Sequence, residues 1–351
     1  MRSWVCRASW VFAALAVVAF GAPPPVQALT LTVEQQIPVD DVPTNAEGIA
    51  VIPTGPNAGI YVPHRDDSLV TVLDVNTGAF LYNFNTGIVG GNLRSIDVLD
   101  NGNLIIGQHT TNLVREVIIP ANPGGGAIPN ATFGTVSFTV PPHPDDLQPF
   151  DEFEALTPFR RASDGQLFVL LAEEGRNVPF GSSNEQPGEV YLGTVNASGG
   201  LSDFDKLFSV PLPNGLDDIS GIDIVDIRFD GAGNLDLAGS RIIMSDDSSG
   251  GDSSAFILDL TGMVLESLED PDTGDPGDFL SIFGEPWNDA EGVDFDPSTG
   301  RYIIFFSTGG SGTPQIVRFT AQLENPVPEP ALLGLLGLTL GALGLARRRG
   351  D

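Results

Sequence analysis

The stretch Asn45–Val62, NAEGIAVIPTGPNAGIYV, decides the fold. Its apolar residues fall in two short runs, ending at Ile52 and Val62, and Pro53, Gly55, Pro56 and Asn57 between them are turn formers, so it reads as a β-hairpin. The same arrangement returns at Asp289–Phe306 (DAEGVDFDPSTGRYIIFF) and Phe153–Leu170 (FEALTPFRRASDGQLFVL), and more loosely from Asn92 (NLRSIDVLDNGNLIIG) and Ile219 (ISGIDIVDIRFDGAGNLDLAGSRIIM). A polar loop and a third strand follow each hairpin: LVTVLDV from Leu69, LVREVII from Leu113, EVYLGTV from Glu189, AFILDLTG from Ala255 and QIVRFTA from Gln315. Turns ending in Gly78 and Gly262 lead on to outer strands AFLYNF and MVLESL.

Four short antiparallel strands recurring at intervals of about 45 to 70 residues are the mark of a β-propeller. Five units are clear, and a sixth is available from the two ends of the body or from Ala127–Val140, so the expectation is an all-β propeller of five or six blades. A β-sandwich is the competing all-β solution, but its strands do not recur in one four-part order. Outside the chain ends no helical period appears, which disfavours an α/β enzyme.

The first 28 residues, with Arg2 and Arg7, an apolar run from Trp10 to Phe20 and the small residues Val26 and Ala28, read as an export signal cut after Ala28. A first transmembrane helix is the weaker reading, because the run is short and meets Pro23, Pro24 and Pro25. The sole cysteine, Cys6, lies in that segment, so the body, residues 29–325, has neither thiol nor disulfide. At the other end, Ala331–Ala346 is uncharged and covers only about 24 Å as a helix, short of a ~30 Å hydrocarbon core, and Arg347, Arg348 and Arg349 follow. These arginines would hold the C-terminus on the cytoplasmic side.

The order Val327, Pro328, Glu329, Pro330, a short apolar helix and an arginine cluster resembles the PEP-CTERM sorting signal over residues 326–351. That resemblance implies recognition and processing at Pro328, Glu329 and Pro330 by exosortase, a membrane protease-transpeptidase of Gram-negative bacteria that export a polysaccharide matrix. The chain would then be cut by signal peptidase, held briefly in the inner membrane and released to the surface or matrix; a permanent single-pass anchor is the other reading of the tail. The E-G-[IV] and D-G-x-[LI]-[FY]-V patterns of the body resemble phytase-like and esterase-like propellers, which implies a calcium-dependent phosphoric or acyl ester hydrolase as an alternative.

The full chain carries 46 acidic and 16 basic residues, a formal net charge of −30. Such a surface repels nucleic acid and anionic lipid and attracts cations, or simply keeps an exported protein soluble. Lys206 is the only lysine, which argues against Schiff-base chemistry.

Two sets of residues could carry chemistry. Glu47, Glu154 and Glu291 share one position at the start of the first strand, which lines the channel of a propeller, so they are candidate oxygen ligands for Ca²⁺. Arg94 and Ser220 fill that position in the other units, so the ring is incomplete and Arg94 is placed to neutralise it; caps on backbone groups are the plainer role for the glutamates. The loops after the second strands carry His64, Asp66 and Asp67, then His109, then Glu173 and Glu174, then Asp246 and Asp247, then Ser307. Of these, His64, His109, Glu173 and Asp246 are the candidate acid–base or metal-binding residues, with solvated turns the plainer reading. The acidic loop Asp270–Asp278 fails the EF-hand spacing, His143 reads as structural in a proline-rich linker, and no complete nucleophile-elbow, zincin, P-loop or dinucleotide motif occurs. The favoured function is therefore a matrix-associated binding or structural module rather than an enzyme.

Overall fold

The computed structural model describes residues 29–39, 42–43, 45–142, 153–173, 188–210, 219–246, 254–267, 290–306 and 314–323. The first strand, β1 (Leu29–Pro38), is set aside by the chain for the last blade. Blade 1 is then β2 (Ala50–Ile52), β3 (Gly59–Pro63), β4 (Leu69–Leu73) and β5 (Phe80–Asn85). Blade 2 is β6 (Leu93–Val98), β7 (Leu104–Gln108), β8 (Leu113–Ile118) and β9 (Thr132–Thr139). Blade 3 is β10 (Phe153–Arg160), β11 (Leu167–Glu173), β12 (Glu189–Val195) and β13 (Leu201–Ser209). Blade 4 is β14 (Ile219–Asp226), β15 (Arg241–Asp246), β16 (Ser254–Asp259) and β17 (Val264–Ser267). Blade 5 comprises β18 (Ala290–Asp296), β19 (Arg301–Phe306) and β20 (Gln315–Leu323), and β1 completes it as the outer strand.

The protein is thus a five-bladed propeller of four-stranded antiparallel sheets. The two sources of a sixth blade are consumed in making five. β1 runs antiparallel to β20 from the Leu29–Leu323 pair to the Pro38–Gln315 pair, closing the ring by joining the two ends of the body. Thr132–Thr139, from the weaker stretch, is the outer strand of blade 2. The expected export segment 1–28, sorting segment 326–351 and C-terminal hydrophobic helix lie outside the described residues. Among the described residues no helix is long and apolar enough to cross a membrane.

Tight turns between strands are set by short polar side chains. Asp74 Oδ1 accepts from the Asn76 and Thr77 N–H groups at 3.0 and 2.8 Å and from Thr77 Oγ1, and Gly78 takes the left-handed φ of +68° that ends the turn. Asp296, with Ser298, Thr299 and Gly300, repeats the device in blade 5.

The core lies between blades. Ile105, Val114 and Phe138 of blade 2 pack on Phe153, Leu171 and Tyr191 of blade 3, all nearly fully buried. Each such side chain contributes about 1.5–3 kcal/mol on burial. At the axis the residue after each ring position is small: Gly48, Ser95, Ala155, Gly221 and Gly292. A Cβ on Gly292 would lie 2.7 Å from Gly48 Cα, and one on Gly221 would lie 2.7 Å from the Val293 nitrogen. Inner strands therefore meet backbone to backbone, leaving a void of about 10 Å³ among these residues, room for about one water.

Candidate functional site

The first strands of blades 2 to 5 are bulged at the ring position. Register with the second strand shifts between Leu93 and Ser95, Phe153 and Ala155, Ile219 and Gly221, and Ala290 and Gly292. Arg94, Glu154, Ser220 and Glu291 are thus the extra residues of four equivalent bulges. An extra residue re-aims its side chain out of the normal alternation, so four blades offer their ring residue in the same unusual way.

At this level the structure brings Glu47, Glu154 and Arg94 together. Arg94 Nε lies 3.0 Å from Glu47 Oε2, and its Nη1 pairs with Glu154 Oε1. Arg65, half-exposed, reaches Glu47 Oε1 at 2.7 Å. Burial pushes the Glu47 carboxyl above the usual range, and Arg94 and then Arg65 pull it back. The result is a chain of alternating charges across blades 1, 2 and 3. Glu291 is half-buried, and its carbonyl oxygen accepts the Gly48 N–H at 2.6 Å. Ser220 donates to the Ala290 carbonyl and lies 3.1 Å from Ser245 Oγ. Both oxygens of Glu47 and one of Glu154 face guanidinium groups, which occupy these carboxylate oxygens in place of a cation. Among the described residues no three His, Cys, Asp or Glu side chains are grouped so as to hold a metal ion.

Three residues further along each inner strand lies a second ring: Ala50, Asp97, Thr157, Asp223 and Asp294. Thr157 Oγ1 donates to Asp223 Oδ1 at 3.1 Å and is also within hydrogen-bonding reach of Asp97. Asp223 Oδ2 accepts the Phe295 N–H at 2.5 Å, and Asp294 Oδ2 accepts the Val51 N–H at 2.6 Å. The bonds run from blade 2 through 3, 4 and 5 to blade 1, and Ala50 is the one apolar member. Burial is the main cause raising all three carboxyls; Asp223 reaches about 6, and the charge of Asp223 pushes Asp97 and Asp294 well above the carboxylate range. The sequence holds this signal as the repeated Asp in SIDVL, GIDIV and GVDFD, three residues downstream of the ring position.

The rim residues His64, His109, Glu173 and Asp246 close the second strands of four different blades. His64 is buried, with Nε2 2.7 Å from Thr71 Oγ1 and Nδ1 3.1 Å from Asp67 Oδ1. Burial lowers its pKa, with Asp67 opposing, so it is neutral at pH 7. His109 Nδ1 accepts from the Asn92 side-chain amide at 3.0 Å, while the Asn92 N–H donates to the Arg65 carbonyl at 2.5 Å. Asn92, at φ +56°, thereby stitches the rim loops of blades 1 and 2. Glu173 is fully buried opposite Glu189, which accepts from Lys206 Nζ at 3.1 Å and from Tyr191. Asp246 is buried between Ile219 and Ser254 in register. Asp66 accepts from Asn45. Glu174, Asp247, Ser307, His143 and the Asp270–Asp278 loop lie outside the described residues.

No family model matches the chain, and no curated protein matches it. Among solved structures, glutaminyl cyclase of Myxococcus xanthus is similar at 12% identity and a TM-score of 0.49, with 85% of this chain and 99% of that one covered. The PQQ-bound aldose sugar dehydrogenase of Streptomyces coelicolor is similar at 13% identity and 0.42, over 86% and 100%. A gluconolactonase of Xanthomonas campestris gives 13% and 0.42, over 86% and 98%.

Proposed function

We propose that this chain is an exported β-propeller, sorted to the cell surface or matrix by its C-terminal segment and acting there as a binding module for extracellular polysaccharide or protein. The observation that supports this reading is the state of the inner ring. Glu47 and Glu154 are buried and matched to Arg94 over a closed axis, an arrangement suited to holding blades together. A general acid or base needs a carboxyl within reach of substrate, and a calcium-assisted hydrolase needs oxygens free to take the ion. In this reading signal peptidase removes residues 1–28, exosortase acts at Pro328–Pro330, and the membrane holds the chain only in between. The acidic surface keeps nucleic acid away.

Fractionation of cells that encode an exosortase tests the proposal. The full chain is expected in the matrix fraction, where it cosediments with extracellular polysaccharide, and Glu329→Gln is expected to accumulate in the inner membrane. Equal distribution of the two forms, or calcium-dependent ester hydrolysis that Asp246→Asn or Glu173→Gln abolishes, would sink it.

A further inference from the structure

Between blades 1 and 2 lies a cleft of about 310 Å³, at the small end of ligand pockets, which run from about 300 to 1,000 Å³. Ile88, Val89 and Leu113 form apolar walls, Thr111 and Thr139 bring hydroxyls, and Arg115 brings the charge. The guanidinium of Arg115 stacks on Phe133, 4.5 Å from the ring centre, and its buried Nε has no acceptor. Every other arginine and lysine among the described residues has a carboxylate or a neutral oxygen acceptor as partner. In a chain of net charge −30, the basic group among the described residues left without an oxygen partner is one that lines this cleft.

The surroundings point to the same place. Of the seven large apolar side chains exposed among the described residues, six (Phe80, Leu81, Val89, Ile118, Ile128 and Phe133) belong to blades 1 and 2. Val89, 89% exposed, forms a lip of the cleft. Such concentrations mark contact surfaces. A rigid guanidinium fork matches a carboxylate, and stacking on Phe133 orients it in advance. A dianion would bring a second negative charge that this acidic surface does not compensate. Thr111 Oγ1 already donates to Gln108 Oε1 at 2.6 Å, so it offers a ligand an acceptor. One negative charge, hydroxyl donors and an apolar face together describe a hexuronate ring.

We propose that this cleft binds the carboxylate of a uronate residue in an acidic polysaccharide. The choice of a polysaccharide rests on the matrix-binding reading above. Calorimetric titration of the full chain with trigalacturonate, its methyl ester and acetate tests it. Trigalacturonate is expected to bind, the uncharged ester at least about 10-fold more weakly, and acetate only feebly. Arg115→Gln should cost about 10- to 100-fold, the worth of a charge-assisted hydrogen bond, and Arg115→Lys less. Val89→Asp, at a position with no part in the core, should weaken binding without altering the melt. Trigalacturonate binding unchanged in Arg115→Gln and Val89→Asp would overturn the site. So would wild-type chain that ignores trigalacturonate yet cosediments with whole matrix polysaccharide, which leaves the broader function standing. Acetate competing on equal terms would overturn the glycan assignment.

Discussion

Arg94→Gln removes a cation shared by Glu47 and Glu154, whose side chains are only 8% and 6% exposed beside an arginine at 12%. With charge centres about 4 Å apart and an effective dielectric near 20, each pair is worth about 4 kcal/mol. Arg65 keeps its contact with Glu47, and either carboxyl can escape by taking up a proton, so the two losses do not add. Stranding a buried charge costs about 3–5 kcal/mol, and that is the expected loss at pH 8. In a domain of this size it corresponds to a fall of about 6–10 °C in Tm. The sign with pH is specific. Glu47 already sits above its unfolded value, and losing Arg94 lifts it further. Stability tied to such a group is complete below the unfolded pKa and is lost as pH rises through the folded one. The deficit of the variant, read from urea midpoints, should therefore shrink from pH 8 towards pH 5, and adding Glu47→Gln and Glu154→Gln should recover part of it. A deficit below about 1 kcal/mol, or one that grows on acidification, would refute the reasoning.

The aspartate ring makes the same kind of claim in a different window. Asp223 is raised to about 6 and Asp97 and Asp294 higher, so their contribution is lost as pH climbs past 6, whereas neutral, buried His64 contributes in the opposite sense. Asp294→Asn, which can still accept the Val51 N–H, should gain on the wild type in urea midpoint between pH 5 and pH 8; a constant difference between the two would count against a shared proton load. Gly292→Ala places a Cβ within 2.8 Å of three backbone atoms of Gly48 and Ile49 and should cost about 1–3 kcal/mol in thermal or urea melts. Gly231→Ala, with nothing within 4 Å, should stay within about 0.5 kcal/mol, and equal effects at the two glycines would contradict a backbone-packed axis.

Much of this fold was legible because alternation and turn residues are local signals. The paired runs from Asn45, Phe153 and Asp289 became inner hairpins, and the outer strands after Gly78 and Gly262 fell where the turns put them. Blade number was less legible, because nothing in LTLTVEQQIP names its partner. That information lies in the register of β1 with β20, some 280 residues away. The site was half legible. Aligning Arg94 with the glutamates suggested neutralisation, and the structure puts its guanidinium between Glu47 and Glu154. The bulges that aim those residues were hidden, since a bulge is a count of residues against a partner strand. Asp97, Asp223 and Asp294 do not stand out in the sequence, because a lone Asp among apolar strand residues resembles a turn signal. Only their common distance from the ring position shows that they meet. Arg115 carries no motif, and its significance comes from the oxygen partner its buried Nε lacks.

In the inner ring Arg94 stands among the carboxylates that the sequence offers to a metal ion. Thermal melts of the full chain with chelator and with millimolar calcium test that most directly. Arg94 already supplies the positive charge, so the two Tm values should agree within about 1 °C, since an ion held at 100 times its Kd would add about 2.7 kcal/mol and raise Tm by several degrees. A calcium-dependent rise of that size, abolished by Glu47→Gln or Glu154→Gln, would contradict the arginine-bridged ring and reopen the hydrolase reading.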